Sequence, residues 1–169
     1  DLKRDVHRGV AQRLADRADV LVENFAPGVA DRLGMGWDAL RVRNPRLLYC
    51  SLSGFGQTGP YRDRLALDPI IQAMSGLMSV TGAADGEPTA INCPIADSIA
   101  GMFAAYAIVS GLHAVRRDGI GDRIDLAMLD SMMAVLGTRM GETLQAGIVP
   151  ARLGNENPMR VPANTYRTR

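Results

Sequence analysis

Asp97 is the residue of this chain whose type and setting best suit chemistry. The apolar run INCPIA (residues 91–96) leads into this one carboxylate, and the 18 residues at 98–115 carry no formal charge. An aspartate before a long apolar helix is typical of an N-cap, which stabilises a helix by about 1 kcal/mol. The positive end of the helix dipole would also favour the ionised carboxylate that nucleophilic catalysis needs. The pattern alone favours the cap and leaves the catalytic role open.

Other kinds of catalytic or metal site have little support in the sequence. His7 lies in a charged segment and His113 in the apolar one, so neither a Ser-His-Asp nor a Cys-His arrangement is indicated. We interpret His113 as a core histidine. Spacings typical of metal ligands, such as HxxxH and CxxC, do not occur, and no metal is predicted. The 19 basic and 18 acidic residues form no basic block, which argues against a nucleic-acid partner.

Three short apolar runs predict the strands that would position Asp97. They are VLVENF (20–25), RLLYCSLS (46–53) and DRIDLAML (122–129). Short helices at 29–33 and 37–43 separate the first two runs, which is typical of a βαβ unit with a parallel sheet. The predicted fold class is therefore α/β.

Longer helices are predicted between and after these strands. The apolar spacing indicates an amphipathic helix at 5–17 and one apolar helix at 67–80, with Pro69 in its first turn. A long buried helix is expected from Asp97 to Gly119, and a Met-rich helix capped by Asp130 and Ser131 is expected to reach residue 145.

The location of the protein is predicted from its cysteines and its apolar helix. Cys50 and Cys93 both lie in apolar runs, and two buried, reduced thiols are typical of a cytoplasmic protein. Residues 98–115 approach the length of a membrane span, but Ala, Gly and Ser dominate them, so a buried helix is favoured over a membrane helix. We expect no membrane partner.

Four segments of the chain, in order, resemble the class III CoA-transferases, the family that includes formyl-CoA transferase, carnitine CoA-transferase and the α-methylacyl-CoA racemases. They are ADVLVENFAPGVADRLG, LLYCSLSGFGQTGPY, LDPIIQAMSGLMSVTG and PIADSIAGMFAAYAIVSGLHAVRRDGIGDRIDLAMLDS. The resemblance implies a Rossmann-like large domain with a parallel sheet, present here as an internal fragment. Residues 1–148 would be the central part of that domain, and residues 149–169 a linker toward a small domain that is largely missing.

The resemblance also implies a chemistry for Asp97. This residue matches the family's aspartate nucleophile, which attacks an acyl-CoA thioester and passes CoA to an acceptor carboxylic acid through covalent aspartyl intermediates. Coenzyme A and acyl-CoA would be substrates, with no tightly bound cofactor. The full-length protein is expected to be an interlocked homodimer, and the fragment alone is expected to be inactive.

The same resemblance implies CoA-binding residues. Asn24, Phe25 and Ala26 match positions that line the CoA groove, and Arg32 matches an arginine that contacts a CoA phosphate. Arg64 and Leu67 lie in another stretch that contacts CoA.

Leu67 separates the branches of this family. The racemases carry a catalytic histidine at this position, before an aspartate, and leucine cannot accept a proton. A CoA-transferase is therefore the favoured function. An acyl-CoA racemase or epimerase, and a non-catalytic CoA-binding paralogue, are the alternatives.

Overall fold

A parallel three-stranded sheet lies at the centre of the computed structural model, which describes residues 1–168. The strands are β1 (Val20–Glu23), β2 (Leu48–Ser53) and β3 (Arg123–Ala127). Their order in the sheet follows the chain, β1-β2-β3, and both pairs are parallel. The α/β fold class with a parallel sheet is confirmed, and each strand lies within the run that predicted it.

Eight helices surround the sheet in the part of the chain that the structure describes. They are α1 (Asp5–Ala15), α2 (Val29–Arg32), α3 (Trp37–Arg43), α4 (Asp68–Met74), α5 (Leu77–Val80), α6 (Ile95–Asp118), α7 (Met128–Leu136) and α8 (Thr138–Ala146).

Strand β2 separates two apolar clusters because successive side chains of a strand point to opposite faces. Tyr49 packs with residues of α1 and α3, including Ala15 and Leu40. Cys50 lies on the other face, in a cluster formed by α4, α6 and α7 that includes Met132. Helices therefore cover both faces of the sheet, as parallel sheets require.

The predicted single helix over 67–80 is wrong, because two helices occupy this segment. Helix α4 ends at Met74, and α5 begins after Gly76, whose φ is 89°. Only glycine adopts this left-handed conformation at no steric cost, so the chain turns here. A similar break at Gly137 separates α7 from α8.

The Met-rich helix also begins earlier than the sequence predicts. Helix α7 begins at Met128, directly after β3, so Asp130 and Ser131 lie inside the helix. The Ser131 hydroxyl donates to the carbonyl of Ala127, four residues back, at 2.9 Å, and does not cap the helix.

Helix α6 is longer and more exposed than the sequence predicts. It begins at Ile95 and ends at Asp118, before Gly119, and it packs against β2, β3, α4 and α7 through small residues such as Ala100 and Ala104. Its other side exposes large apolar side chains, among them Met102, Phe103, Tyr106 and Val109. The predicted fully buried helix is therefore wrong for the part of the protein described here. By length and composition α6 is also able to cross a membrane, and the absence of a membrane partner stays a prediction.

Two further burial predictions are wrong. His113 is exposed on α6, and Cys93 is exposed in the loop before it, while Cys50 is fully buried. The argument from two buried thiols therefore holds for Cys50 alone, and a cytoplasmic location stays a prediction.

Residues 147–168 contain neither helix nor strand, as expected. This segment contacts α5 and the loop after it, because the Arg152 guanidinium donates to the carbonyls of Ser79 at 3.4 Å and Gly86 at 2.6 Å. The division into a large-domain part (1–148) and a linker (149–169) stays a prediction, and its last residue lies outside the described residues.

Candidate active site

A cleft of about 340 Å³ lies at the carboxyl ends of the three strands. Ligands of open α/β sheets bind at this edge because the loops that follow the strands meet there. The turn after β1, the end of β2, the start of α7 and the first turn of α6 all contribute to it. Six residues that the sequence analysis singled out line this cleft: Asn24, Phe25, Ala26, Arg64, Leu67 and Asp97.

Asp97 is exposed at the cleft, in the first turn of α6. The N-cap position is occupied by Pro94, so the predicted capping role of Asp97 is wrong. The cap comes from another helix. Asp68, the first residue of α4, accepts hydrogen bonds at Oδ2 from the backbone N–H groups of Ala96 (2.7 Å) and Asp97 (3.1 Å). The side chain of Asp97 is thereby left available to a ligand.

The surroundings of Asp97 raise the pKa of its carboxyl. Partial burial is the main cause, and the negative charge of Asp68 adds to it. The dipole of α6 was expected to favour the ionised form, but Asp68 already occupies the first N–H groups of this helix. A carboxylate with a raised pKa is a stronger base, and so a stronger nucleophile, while it is ionised.

Asp68 is itself held by a buried glutamine that the sequence analysis missed. Gln72 is 1% exposed, and its Nε2 donates to Asp68 Oδ1 at 2.5 Å. The two residues lie four positions apart in α4, which places them on one face of that helix. The spacing in Asp-Pro-Ile-Ile-Gln could have indicated that Asp68 and Gln72 contact each other. Their other hydrogen-bond partners lie in a distant segment of the chain.

The turn after β1 presents Asn24, Phe25 and Ala26 to the cleft. Asn24 Nδ2 donates to the carbonyl of Leu52 at 2.7 Å, which ties the ends of β1 and β2 together. The Phe25 N–H donates to Glu23 Oε2 at 2.8 Å, and Glu23 is a buried residue. These bonds give the turn a fixed shape against the sheet.

Two arginines form the basic side of the cleft. Arg62 and Arg64 both line it, on the loop between β2 and α4. The guanidinium carbon of Arg64 lies 4.2 Å from the centre of the Tyr61 ring, and this ring packs edge-on against Phe55. The aromatic pair thus supports Arg64 while its guanidinium stays available to an anion.

Close packing at Gly54 sets the path of this loop. A Cβ atom at Gly54 would lie 1.9 Å from the Cβ of Ala66, which is far inside contact distance. The carbonyl of Gly54 also accepts the N–H of Leu129, in the first turn of α7, at 3.0 Å. Glycine therefore allows the loop to cross the end of β2 and form one wall of the cleft.

Two further residues that line the cleft, Leu67 and Ser53, bear on its function. Leu67 precedes α4, lines the cleft and is 58% exposed, so no acid or base stands at this position. Ser53 also lines the cleft and is buried. Among residues 1–168 its Oγ finds no hydrogen-bond partner.

Arg32 lies outside the cleft lining, on the exposed side of α2. Its guanidinium folds back over the turn that precedes this helix, because a Cβ atom at Gly28 would meet Arg32 Nη1 at 3.2 Å. The guanidinium therefore lies beside the turn after β1, and residues 24–27 of this turn line the cleft together with Asp97. A ligand must extend beyond the cleft to reach both residues.

Comparisons with known proteins agree with this fold. The sequence profile of CoA-transferase family III matches residues 1–169. Succinate–glutarate CoA-transferase of Agrobacterium fabrum is 43% identical over 99% of this chain, which covers 42% of that protein. Acetyl-CoA:oxalate CoA-transferase of Acetobacter aceti is 42% identical, with 43% of its length covered. The crystal structure of a CAIB/BAIF family protein from Brucella suis superposes with a TM-score of 0.92 at 40% identity, over 99% of this chain and 44% of that one.

The chain belongs to CoA-transferase family III. It spans less than half the length of the relatives it matches, and residues outside this span complete those proteins.

Proposed function

We propose that the full-length protein is an acyl-CoA:carboxylate CoA-transferase in which Asp97 is the nucleophile. One observation carries the proposal. In a chain of this family, the Asp97 carboxylate faces a cleft at the carboxyl edge of the sheet, with a raised pKa and two arginines in the same cleft. The proposed substrates, partners and turnover are those of the full-length protein.

The first half of the proposed reaction moves CoA from the donor acyl group onto Asp97. A carboxylate oxygen of Asp97 attacks the thioester carbon, the C–S bond breaks, and CoA leaves as a thiolate. The thiolate then attacks the aspartyl carbon of the mixed anhydride, which releases the donor acid and leaves an aspartyl-CoA thioester. Covalent catalysis of this kind divides one difficult exchange into easier steps.

The second half repeats these steps in reverse. The acceptor carboxylate attacks the aspartyl-CoA thioester and displaces the thiolate, and the thiolate attacks the acceptor carbon of the new anhydride. The products are the acceptor thioester and the free Asp97 carboxylate. No net proton is taken up, so the site needs no general base, which agrees with a leucine at position 67.

The remaining residues of the cleft would bind CoA. Asn24 holds the shape of the turn after β1, and Phe25, Ala26 and Leu67 supply apolar lining to the cleft. Arg64 and Arg32 are the cations proposed for CoA phosphates, and the distance of Arg32 from the cleft suits an extended ligand. The full-length protein is proposed to be a cytoplasmic homodimer, and the fragment alone to be inactive.

Trapping the covalent intermediate tests this function. The full-length protein is mixed with acyl-CoA and hydroxylamine, digested, and examined by mass spectrometry for a hydroxamate on Asp97. An adduct on Asp97, together with loss of transfer in the Asp97→Asn variant, supports the proposal. Full activity of Asp97→Asn without an adduct in the wild type overturns it.

Two further outcomes would identify the alternative functions. Exchange of the α-hydrogen of acyl-CoA with deuterium, without transfer of CoA to any acid, would indicate a racemase. Tight CoA binding without transfer to any acid of a panel would indicate a non-catalytic CoA-binding protein.

A further inference from the structure

Gln72 uses its whole carboxamide in hydrogen bonds although it lies outside the candidate active-site cleft. Its Nε2 group lies 2.5 Å from Asp68 Oδ1, 3.2 Å from the carbonyl of Ile91 and 3.3 Å from the carbonyl of Cys93. Its Oε1 accepts the N–H of Ile91 at 2.9 Å. A buried amide with this many partners joins two segments: the start of its own helix at Asp68, and the loop that enters α6.

These bonds lead directly to Asp97. Gln72 fixes one oxygen of Asp68, and the other oxygen of Asp68 binds the N–H groups of Ala96 and Asp97. Gln72 also holds the loop at Ile91 and Cys93, two exposed residues just before α6. The Gln72 side chain thus fixes the first turn of α6 in two ways: through Asp68, and through the loop that precedes the helix.

We propose that Gln72 is a positioning residue for CoA transfer: it locks Asp68 against the first turn of α6 and thereby holds the Asp97 carboxylate at its place in the cleft. This inference rests on the proposed function of Asp97. Gln72 itself touches no reacting atom.

The size of the expected effect follows from geometry. A displacement of a reacting group by about 1 Å costs on the order of 100-fold in rate. Without Gln72, Asp68 keeps only its bonds to α6, and the loop loses its contacts to α4. The Asp97 carboxylate and the charge of Asp68 would then move relative to each other. The other charged groups that face the same cleft, Arg62 and Arg64, come from a different loop and would stay in place.

The test replaces Gln72 in the full-length protein by methionine, which has a similar length and no hydrogen-bonding carboxamide. We expect Gln72→Met to lower kcat by about 10- to 100-fold and to change KM for acyl-CoA by less than about threefold. The acid limb of the kcat–pH profile should also move, because the separation between the charge of Asp68 and the Asp97 carboxylate changes once Gln72 no longer fixes Asp68. If methionine prevents folding, Gln72→Asn replaces it, since asparagine keeps the amide but withdraws it by one carbon–carbon bond.

Ser75→Ala is the matched control. Ser75, directly after α4, is also buried and donates to the carbonyl of Gln72 at 3.1 Å, but it makes no bond to Asp68. We expect this variant to lose some stability while its kcat–pH profile stays unchanged. A Gln72 variant that folds and retains the wild-type kcat and pH profile overturns the inference, as does a profile shifted equally by Ser75→Ala.

The Asp97→Asn variant distinguishes a failure of this inference from a failure of the proposed function. If Asp97→Asn is inactive and the hydroxamate forms on Asp97, the function stands whatever the Gln72 variants do. If Asp97→Asn is fully active, the proposed function fails, and the positioning role of Gln72 fails with it.

Discussion

Asp68 Oδ2 lies 3.1 Å from the backbone nitrogen of Asp97, so the carboxylate of one helix caps the helix that carries the other. This relationship explains three properties of the candidate site. Asp97 does not have to cap its own helix, its side chain remains exposed at the cleft, and its pKa is raised by burial and by the charge of Asp68. Asp68 therefore caps α6, and the Asp97 carboxylate is left free for the proposed chemistry.

Removing the charge of Asp68 should change the pH dependence of the reaction. The proposed reaction requires ionised Asp97, so activity should fall as the pH drops through the pKa of this carboxyl. Because the charge of Asp68 helps to raise that pKa, Asp68→Asn should move the acid limb of the kcat–pH profile to lower pH. An asparagine oxygen can still cap α6. An acid limb that stays in place, or moves to higher pH, would contradict this origin of the raised pKa.

The Tyr61 ring should contribute to CoA binding through Arg64. An exposed cation–π contact such as this one is worth about 0.5–1 kcal/mol, which corresponds to roughly a two- to fivefold change in affinity. We expect Tyr61→Leu to raise KM for acyl-CoA by this factor with little change in kcat. Tyr61→Phe, which keeps the ring, is the matched control and should resemble the wild type. Equal effects of both variants would show that the hydroxyl group matters instead of the ring.

Gly54 should tolerate no side chain. A Cβ atom there would collide with Ala66, so Gly54→Ala should lower the free energy of unfolding by about 1–3 kcal/mol and displace the loop that carries Arg64. Gly9→Ala is the control, because Gly9 lies within α1 with open space around it. That variant should be more stable by about 0.5–1 kcal/mol. Chemical denaturation of both variants measures the contrast, and an equally stable Gly54→Ala would contradict the close approach.

The two cysteines should differ in reactivity. Burial raises the pKa of the Cys50 thiol and shields it, whereas Cys93 is exposed just before α6. We expect iodoacetamide to modify Cys93 in the native protein and Cys50 only after denaturation. Peptide mapping distinguishes the two sites. Native labelling of Cys50 at a rate similar to that of Cys93 would contradict the packing of β2.

The sequence predicts the fold well wherever the signal is local. The strands and α3 follow from apolar runs, Pro and Gly, and α3 has the predicted bounds. The break at Gly76 was missed because the apolar pattern continues across it. The apolar residues of α6 indicate burial whether or not a neighbouring segment covers them, so the exposure of Met102, Tyr106 and His113 could not be predicted.

The candidate site was predicted in its parts but not in its connections. The resemblance to a family placed Asp97, Asn24 and Arg64 among the site residues. Gln72 and Asp68 lie four positions apart, but the hydrogen bonds from this pair to the start of α6 and the loop before it join residues that lie 19 to 29 positions apart in the chain. Such pairings depend on how two helices pack, and no local pattern encodes them.

The most direct test of the proposed mechanism traces an oxygen atom from the acceptor acid to the Asp97 side chain. In the proposed reaction the acceptor carboxylate leaves one of its oxygens on Asp97 when the thiolate attacks the second anhydride. The full-length protein is given acyl-CoA and an acceptor acid whose carboxylate carries heavy oxygen, for a single turnover. Mass spectrometry should then find one heavy oxygen in the peptide that contains Asp97, located on this side chain. Formation of the new thioester without any heavy oxygen on Asp97 would contradict the proposal that Asp97 is the nucleophile.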